Sequence, residues 1–197
     1  MSVFRNEHPK RRNITKEVSN YRKHRDDLRK DYFDRCGYCN SIDTWRFVWF
    51  EIDHFVPQKY LKTIKDTDYF NLVYACRSCN NAKRAKWPSM DEKIHNVNDE
   101  GFIDPCDEEY ANQFKRTDTG RILPDTRLGE WIYNELKLYK PQHEIIWKME
   151  EMNNLIDEIE QVLDGNPNSG EDLKDKLLEC YRAFRKYAQQ LSEVGLQ

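Results

Sequence analysis

The chain has 197 residues, 38% hydrophobic and 34% charged, with 5 Trp, 11 Tyr and 9 Phe, a polar composition that still holds enough aromatic mass for a core and so excludes disorder throughout. It contains no run of 18 apolar residues, and the start MSVFRNEHPKRR lacks an apolar signal stretch, so the expectation is no membrane span and a cytoplasmic protein whose six Cys stay reduced. The net charge of -3 is unevenly spread: residues 1–90 hold 19 basic and 11 acidic side chains, residues 91–197 hold 13 and 24, so the front half suits phosphate contacts and the back half a protein partner or a solvating shell.

Residues 15–35, TKEVSNYRKHRDDLRKDYFDR, contain neither Pro nor Gly and place Val18, Tyr21, Leu28 and Tyr32 near helical spacing. That predicts a helix capped by Thr15 and running into Cys36. The aromatic and β-branched run FVWFEI at 47–52 predicts a strand. A long loop with a short helical turn follows from Asp53, then a short strand before Cys76, and RSCNNAKRAKW predicts a helix stopped by Pro88. From Pro88 to Pro124 the chain is polar, with DEGF, IDPC and TDTGR as turn signals, and is expected to wrap the preceding elements without a core of its own. Beyond it, Ile145, Met149, Met152, Ile156, Ile159 and Leu163 alternate steps of four and three, as do Leu173, Leu177, Cys180, Phe184, Tyr187 and Leu191. The breaker DGNPNSG separates them, which predicts an antiparallel helical hairpin. Its apolar seam closes either within the hairpin and on the module or against a partner; the sequence leaves both open.

Cys36, Cys39, Cys76 and Cys79 form two CxxC pairs, CGYC and CRSC, separated by 36 residues, the spacing of a tetrahedral structural zinc site. Four protein ligands leave no open position, so this zinc is expected to hold the fold and to take no part in chemistry. The other two thiols, Cys106 and Cys180, read as ordinary half-buried cysteines. A plain zinc ribbon would explain the pairs alone. It would not explain what lies between and after them: Glu51-Ile-Asp53-His54-Phe-Val-Pro57, then Asn71, then Cys79-Asn80-Asn-Ala-Lys83.

These lines, CGYC, IDHFVPQ and NLVYACRSCNNAK, resemble the HNH, or ββα-metal, nuclease family, in the subclass braced by two CxxC knuckles, over about residues 36–86. The chemistry also follows from the residue types. Phosphodiester hydrolysis needs a base for the attacking water and positive charge on the phosphoryl oxygens. An imidazole such as His54 suits the first task, and Asp53 with the neutral oxygen of Asn80 suits a hard cation completed by water and phosphate. Because Asp53 and His54 are neighbours, the strand is expected to end or bend there, with Pro57 supplying the break and Asn71 tying the loop back by side-chain to backbone bonds. Asn80 and Lys83 should share a helix face, with Cys79 turned about 100° away toward zinc. The resemblance implies His54 as general base, Asp53 and Asn80 as Mg2+ ligands, Asn71 as loop brace and Lys83 near the phosphate, with products bearing 5'-phosphate and 3'-hydroxyl ends. Asn stands where many members have His at the third motif, which leaves Mn2+ or Ni2+ open as well. Singly, His54 could be a buried structural histidine, Asp53 a turn residue and Asn80 a helix-start polar residue; Glu51 either faces away or orients a partner group and is left outside the core site.

Lys10, Arg11, Arg12, Arg22, Lys23, Arg25, Arg29 and Lys30 are candidate DNA-backbone contacts, with a solvated helix face as the plain alternative; Arg84 and Lys86 flank the proposed site and are stronger candidates. The expected architecture is α+β: a basic N-terminal helix in 1–35, a small zinc-stapled ββα-metal module at 36–90, an irregular connector at 91–140 and a helical hairpin at 141–197. That layout is similar to nuclease subunits of bacterial anti-phage defence systems of the Septu and retron-associated kind, which implies an ATPase partner docked on the hairpin. The rival classes are a zinc-ribbon nucleic-acid binder without catalysis and a helical adaptor. The first has no need of Asp53, His54 and Asn80 together, the second none of a basic front half.

Overall fold

Helix formation near the N-terminus is decided by one cap. In the computed structural model, which describes residues 2–44, 48–165 and 170–194, the expected helix over 15–35 is confined to a 3-10 turn at Tyr21–His24 and helix α1 at Arg25–Asp31. Asn20, not Thr15, is the cap: its side chain accepts from the Arg22 N–H, and the β-branched stretch before it stays non-helical. Phe33 and Asp34 then take positive φ of 54° and 56°, and the Asp34 N–H bonds back to the Arg29 carbonyl at 2.9 Å, which turns the chain sharply into Cys36. The first 35 residues are also not purely helical, since Ser2–Val3 form strand β1.

Strand β2 covers Phe50–His54 and pairs antiparallel with β3, Leu72–Cys76, in the register Phe50↔Cys76, Ile52↔Tyr74, His54↔Leu72. The strand thus lies further along than the 47–52 expected, and Phe47 is outside the described residues. Helix α2, Arg77–Lys83, follows β3 directly, completing a ββα unit. It stops short of Pro88, because Arg84 adopts φ 50° and its N–H closes on the Asn80 carbonyl.

The connector is not irregular. It contains a hairpin of β4 (Asn96–Val97) and β5 (Glu100–Gly101), whose two turn residues Asn98 and Asp99 have φ of 52° and 62°. Helix α3 (Glu108–Asn112) is capped by Asp107; strands β6 (Phe114–Arg116) and β7 (Ile122–Pro124) join β1 in a three-stranded sheet ordered β1-β6-β7; helix α4 (Arg127–Glu135) is capped by Thr126. The strands and α3 are too short for periodicity to reveal, whereas α4 with its C-cap places Leu128, Ile132 and Leu136 at helical spacing. Phe102, Tyr110, Phe114, Ile122, Ile132, Leu136 and Leu138 share one buried core with Leu28, Tyr32, Tyr38, Leu72 and Tyr74. The segment therefore completes the module's own core.

The chain divides into two units, Met1–Tyr139 and Lys140–Gln197. In the second, α5 (Pro141–Gly165) and α6 (Glu171–Val194) run antiparallel: Lys148 lies over the Tyr187 ring, and Tyr181 bonds Glu160 further up. Ile156, Ile159 and Cys180 form its core, flanked by Leu155, Leu163, Leu173, Leu177 and Phe184. Most of the DGNPNSG breaker, 166–169, lies outside the described residues. Among the described residues no helix is long and apolar enough to cross a membrane.

Because Phe102 is fully buried between Trp87 and Trp131, Phe102→Ala should cost about 3–5 kcal/mol. A urea titration that gave less than about 1 kcal/mol would mean the connector only lies on the surface.

Candidate functional site

The first knuckle is built by the turn that leaves α1. The Gly37 N–H donates to the Tyr74 carbonyl at 2.8 Å, and a Cβ at Gly37 would sit 2.6 Å from the Tyr32 ring, so only glycine fits between helix and strand. Arg5 and Arg116, both buried, donate to the Gly37 and Cys39 carbonyls at 2.7 and 2.8 Å. Cys76 ends β3 and Cys79 lies in α2, so strand and helix deliver the second pair.

All four thiol sulfurs lie within 4.8 Å of one another, with Cys39 and Cys76 3.7 Å apart. A tetrahedral zinc with bonds of about 2.3 Å has sulfur–sulfur edges of about 3.8 Å, so the donor set fits zinc in both softness and size. Hydrogen bonding to Cys36 and Cys39 pushes the Cys76 thiol well above its ordinary range, and burial first, then its thiol neighbours, does the same to Cys79. Such a cluster needs a cation to ionise. All four are buried and all four are protein ligands, which is the closed arrangement of a structural site.

The second cluster sits on β2 and α2. The strand runs regularly through Asp53 and ends at His54, one of the two outcomes expected there, and the two side chains leave on opposite faces. Asp53 accepts from the Tyr38 hydroxyl at 2.6 Å and from Lys83 Nζ at 2.9 Å, both on Oδ2. Lys83 also donates to the His54 carbonyl at 2.9 Å and lies over the Phe102 ring. Its exposure is 0%, so it does not reach a phosphate as expected but holds Asp53 and the end of β2. On the other face, His54 Nε2 lies 2.8 Å from the Asp66 carbonyl, and Tyr21 meets the ring edge-on at 4.6 Å. A carbonyl carries no proton, so Nε2 holds the hydrogen and Nδ1 keeps the lone pair in the neutral ring. Asn71 exchanges two bonds with the Val56 backbone, accepting at 2.9 Å and donating at 3.1 Å, and its carbonyl accepts from Phe55 N–H.

Asn80 and Lys83, one turn apart on α2, face Glu51 and Asp53, two residues apart on β2. Asn80 Nδ2 donates to Glu51 Oε2 at 2.6 Å, and Arg77 Nε holds Oε1 at 3.3 Å. Glu51 therefore belongs to the cluster, although the sequence reading set it aside. Strand alternation was the available signal, because residues 51 and 53 of one strand share a face.

Residues 36–86 match the family model described as HNH endonuclease. No curated protein and no solved structure matches the chain. The HNH match takes in both knuckles, the strand pair and α2, together with Glu51, Asp53, His54, Asn71, Asn80 and Lys83; Tyr21 and Phe102 lie outside it. What surrounds the HNH domain sorts the basic candidates. Lys86 is spoken for by Glu135, whose carboxylate and backbone carbonyl it reaches at 2.6 and 3.0 Å, which removes it from the phosphate contacts. Arg11 is buried against the Leu72 carbonyl and Asp104, Arg12 pairs with Asp31, Arg25 donates to the Phe50 carbonyl, and Arg29 pairs with Asp34 and Asp43. Those four serve the fold. Arg84, Lys30, Lys10, Arg22 and Lys23 remain on the surface.

Two outcomes follow. The purified chain should carry one zinc, and Cys79→Ser should lose it and unfold the first unit; metal analysis showing a folded, zinc-free chain would refute the structural site. Lys83→Met leaves Asp53 buried without its cation and should cost about 3–5 kcal/mol in a denaturant titration.

Proposed function

We propose that the chain is a metal-dependent endonuclease that hydrolyses phosphodiester bonds of DNA, with His54 as the general base. The observation that carries this reading is the hydrogen bond from His54 Nε2 to the Asp66 carbonyl, which leaves Nδ1 as proton acceptor. In this reading the attacking water gives its proton to Nδ1 as its oxygen bonds to phosphorus and the bond from phosphorus to the 3'-oxygen breaks, the leaving oxygen taking a proton from solvent, while the imidazolium keeps its other proton on Nε2, donated to the Asp66 carbonyl. Asp53 and Asn80 would hold a divalent cation, Mg2+ with Mn2+ or Ni2+ as substitutes; when bound it supplies positive charge to the phosphoryl and leaving oxygens. The oxygens left for such an ion are Asp53 Oδ1, since Tyr38 and Lys83 both hold Oδ2, and the Asn80 amide oxygen, since Glu51 draws its nitrogen. Lys83 positions Asp53 and stays out of contact with substrate.

The basic balance of residues 1–90 supports a nucleic-acid substrate, with Arg84 and Lys30 offered as backbone contacts. A zinc-ribbon binder would not call for an imidazole oriented in this way, and a helical adaptor would not call for the basic half. We extend the proposal, on layout alone, to a nuclease subunit of an anti-phage defence complex with an ATPase docked on the second unit. Its support is the exposed apolar set Val162, Leu178 and Tyr181 on α5 and α6.

Nicking of supercoiled plasmid with Mg2+ tests the central claim. His54→Ala should retain zinc and lose about 100-fold or more in rate, and chelation of Mg2+ should stop the wild type. Equal cutting by wild type and variant would remove His54 from the mechanism.

A further inference from the structure

The loop between β2 and β3 supplies the carbonyl that orients His54, yet its middle is exposed. Lys62, Thr63, Lys65 and Asp66 all lie on the surface. At its start Asn71 ties Val56, and at its end the Asp68 side chain caps Phe70 N–H. Between these anchors lie two ion pairs at the surface, Lys65 with Glu17 and Lys62 with Asp91, each weak in water. The remaining anchor comes from outside the HNH match. The Glu92 carboxylate accepts from the backbone N–H of Lys62 at 2.6 Å, of Thr63 at 3.0 and 3.1 Å and of Ile64 at 3.5 Å, and from the Thr63 hydroxyl. Successive N–H groups converging on one carboxylate make an anion nest, here filled by the protein itself.

Glu92 is rigidly presented. Trp87, buried against Phe55 and Phe102, donates its indole N–H to the Asp91 carbonyl at 2.8 Å, and Ser89 bonds both Asp91 and Ile94. Glu92 itself is 3% exposed. The Thr63 hydroxyl, then the Lys62 and Thr63 N–H groups, hold its carboxyl down to about 2.

We propose that Glu92 is a positioning residue for His54: by fastening Lys62–Ile64 it fixes the Asp66 carbonyl, two residues on, that selects the Nε2–H tautomer and leaves Nδ1 as the acceptor. This rests on the reading of His54 as the base, but its physical claim is about the tautomer and can be measured without catalysis. The connector that follows the HNH match then sets the geometry of the site within it.

The test is 15N NMR of the histidine rings in the zinc-loaded full chain, without Mg2+ and at a pH where the rings are neutral. His54→Ala assigns the His54 signals among the five histidines. Wild type should show His54 as the Nε2–H tautomer. Glu92→Ala should shift it toward a mixture and slow plasmid nicking by about 10- to 100-fold, at unchanged zinc content. Glu92→Gln, which keeps one acceptor oxygen, should fall between, and it carries the test should Glu92→Ala lose zinc. A zinc-loaded Glu92 variant whose His54 tautomer matches wild type overturns the proposal, whatever its nicking rate. A tautomer shift with an inactive wild type would uphold the positioning role and defeat the nuclease reading instead.

Discussion

Two five-residue strands and a seven-residue helix are too small to hold themselves together. An isolated hairpin is marginal in water, and domains below about 40 residues usually need a metal or a disulfide. The chain meets this constraint twice. Four thiols gather the α1 exit, the end of β3 and α2 around one point, and the connector closes over the same elements with Phe102, Tyr110, Ile132 and Leu136. The two devices are joined electrically. Zinc held by four thiolates would carry a net double negative charge, and Arg5 and Arg116, buried and bonded to the knuckle carbonyls, place two positive charges beside the thiols. Both arginines reach the knuckle from the β1 and β6 side, so the outer sheet would help neutralise such a site.

The register of α2 on β2 links scaffold and site. Positions 80 and 83 lie about 4.5 Å apart along the helix and positions 51 and 53 about 6.8 Å apart along the strand, a mismatch that the long Lys83 side chain can span, so the two pairs meet in turn. Opposite partners alternate along the contact: amide with carboxylate, then ammonium with carboxylate. Cys79 sits beside this row in the same helix, so the thiol cluster that fixes α2 also fixes the spacing of Asn80 and Lys83 from the strand.

Much of this was legible because it rests on local spacing. The CxxC pairs and the shared face of Asn80 and Lys83 are set by intervals of three residues, and a chain cannot place such side chains far apart, whereas the Asn71 brace, 15 residues from Val56, was legible through the family resemblance. What was missed depends on partners distant in sequence. Lys86 and Arg11 read as free cations because Glu135 and Asp104 lie 49 and 93 residues away. Lys83 read as a phosphate contact because its burial is made by Phe102, beyond the motif. The helix start moved from Thr15 to Asn20, two acceptable caps between which tertiary context chose. Phe33, Asp34 and Arg84 carry positive φ without glycine, and nothing in their identity announces it. The connector looked irregular since strands of two or three residues hold one to one and a half periods of alternation, too few to stand out as a pattern.

Strand alternation also constrains how the proposed roles combine. Asp53 points toward Tyr38 and Lys83 and His54 toward Tyr21 and Asp66, so a phosphate served by both cannot lie flat on either face of the sheet. Among the described residues, β2 has β3 as its only strand neighbour, which leaves the tip of β2 as the place where both faces can be reached. Lys83 stands at that tip, gripping the Asp53 carboxylate with one hydrogen and the His54 carbonyl with another. A single buried ammonium thus sets the side chain of one residue and the backbone of the next. Charge alone would not be enough there: Lys83→Arg keeps the cation, but a planar guanidinium cannot direct donors at both groups from a site with no room for it.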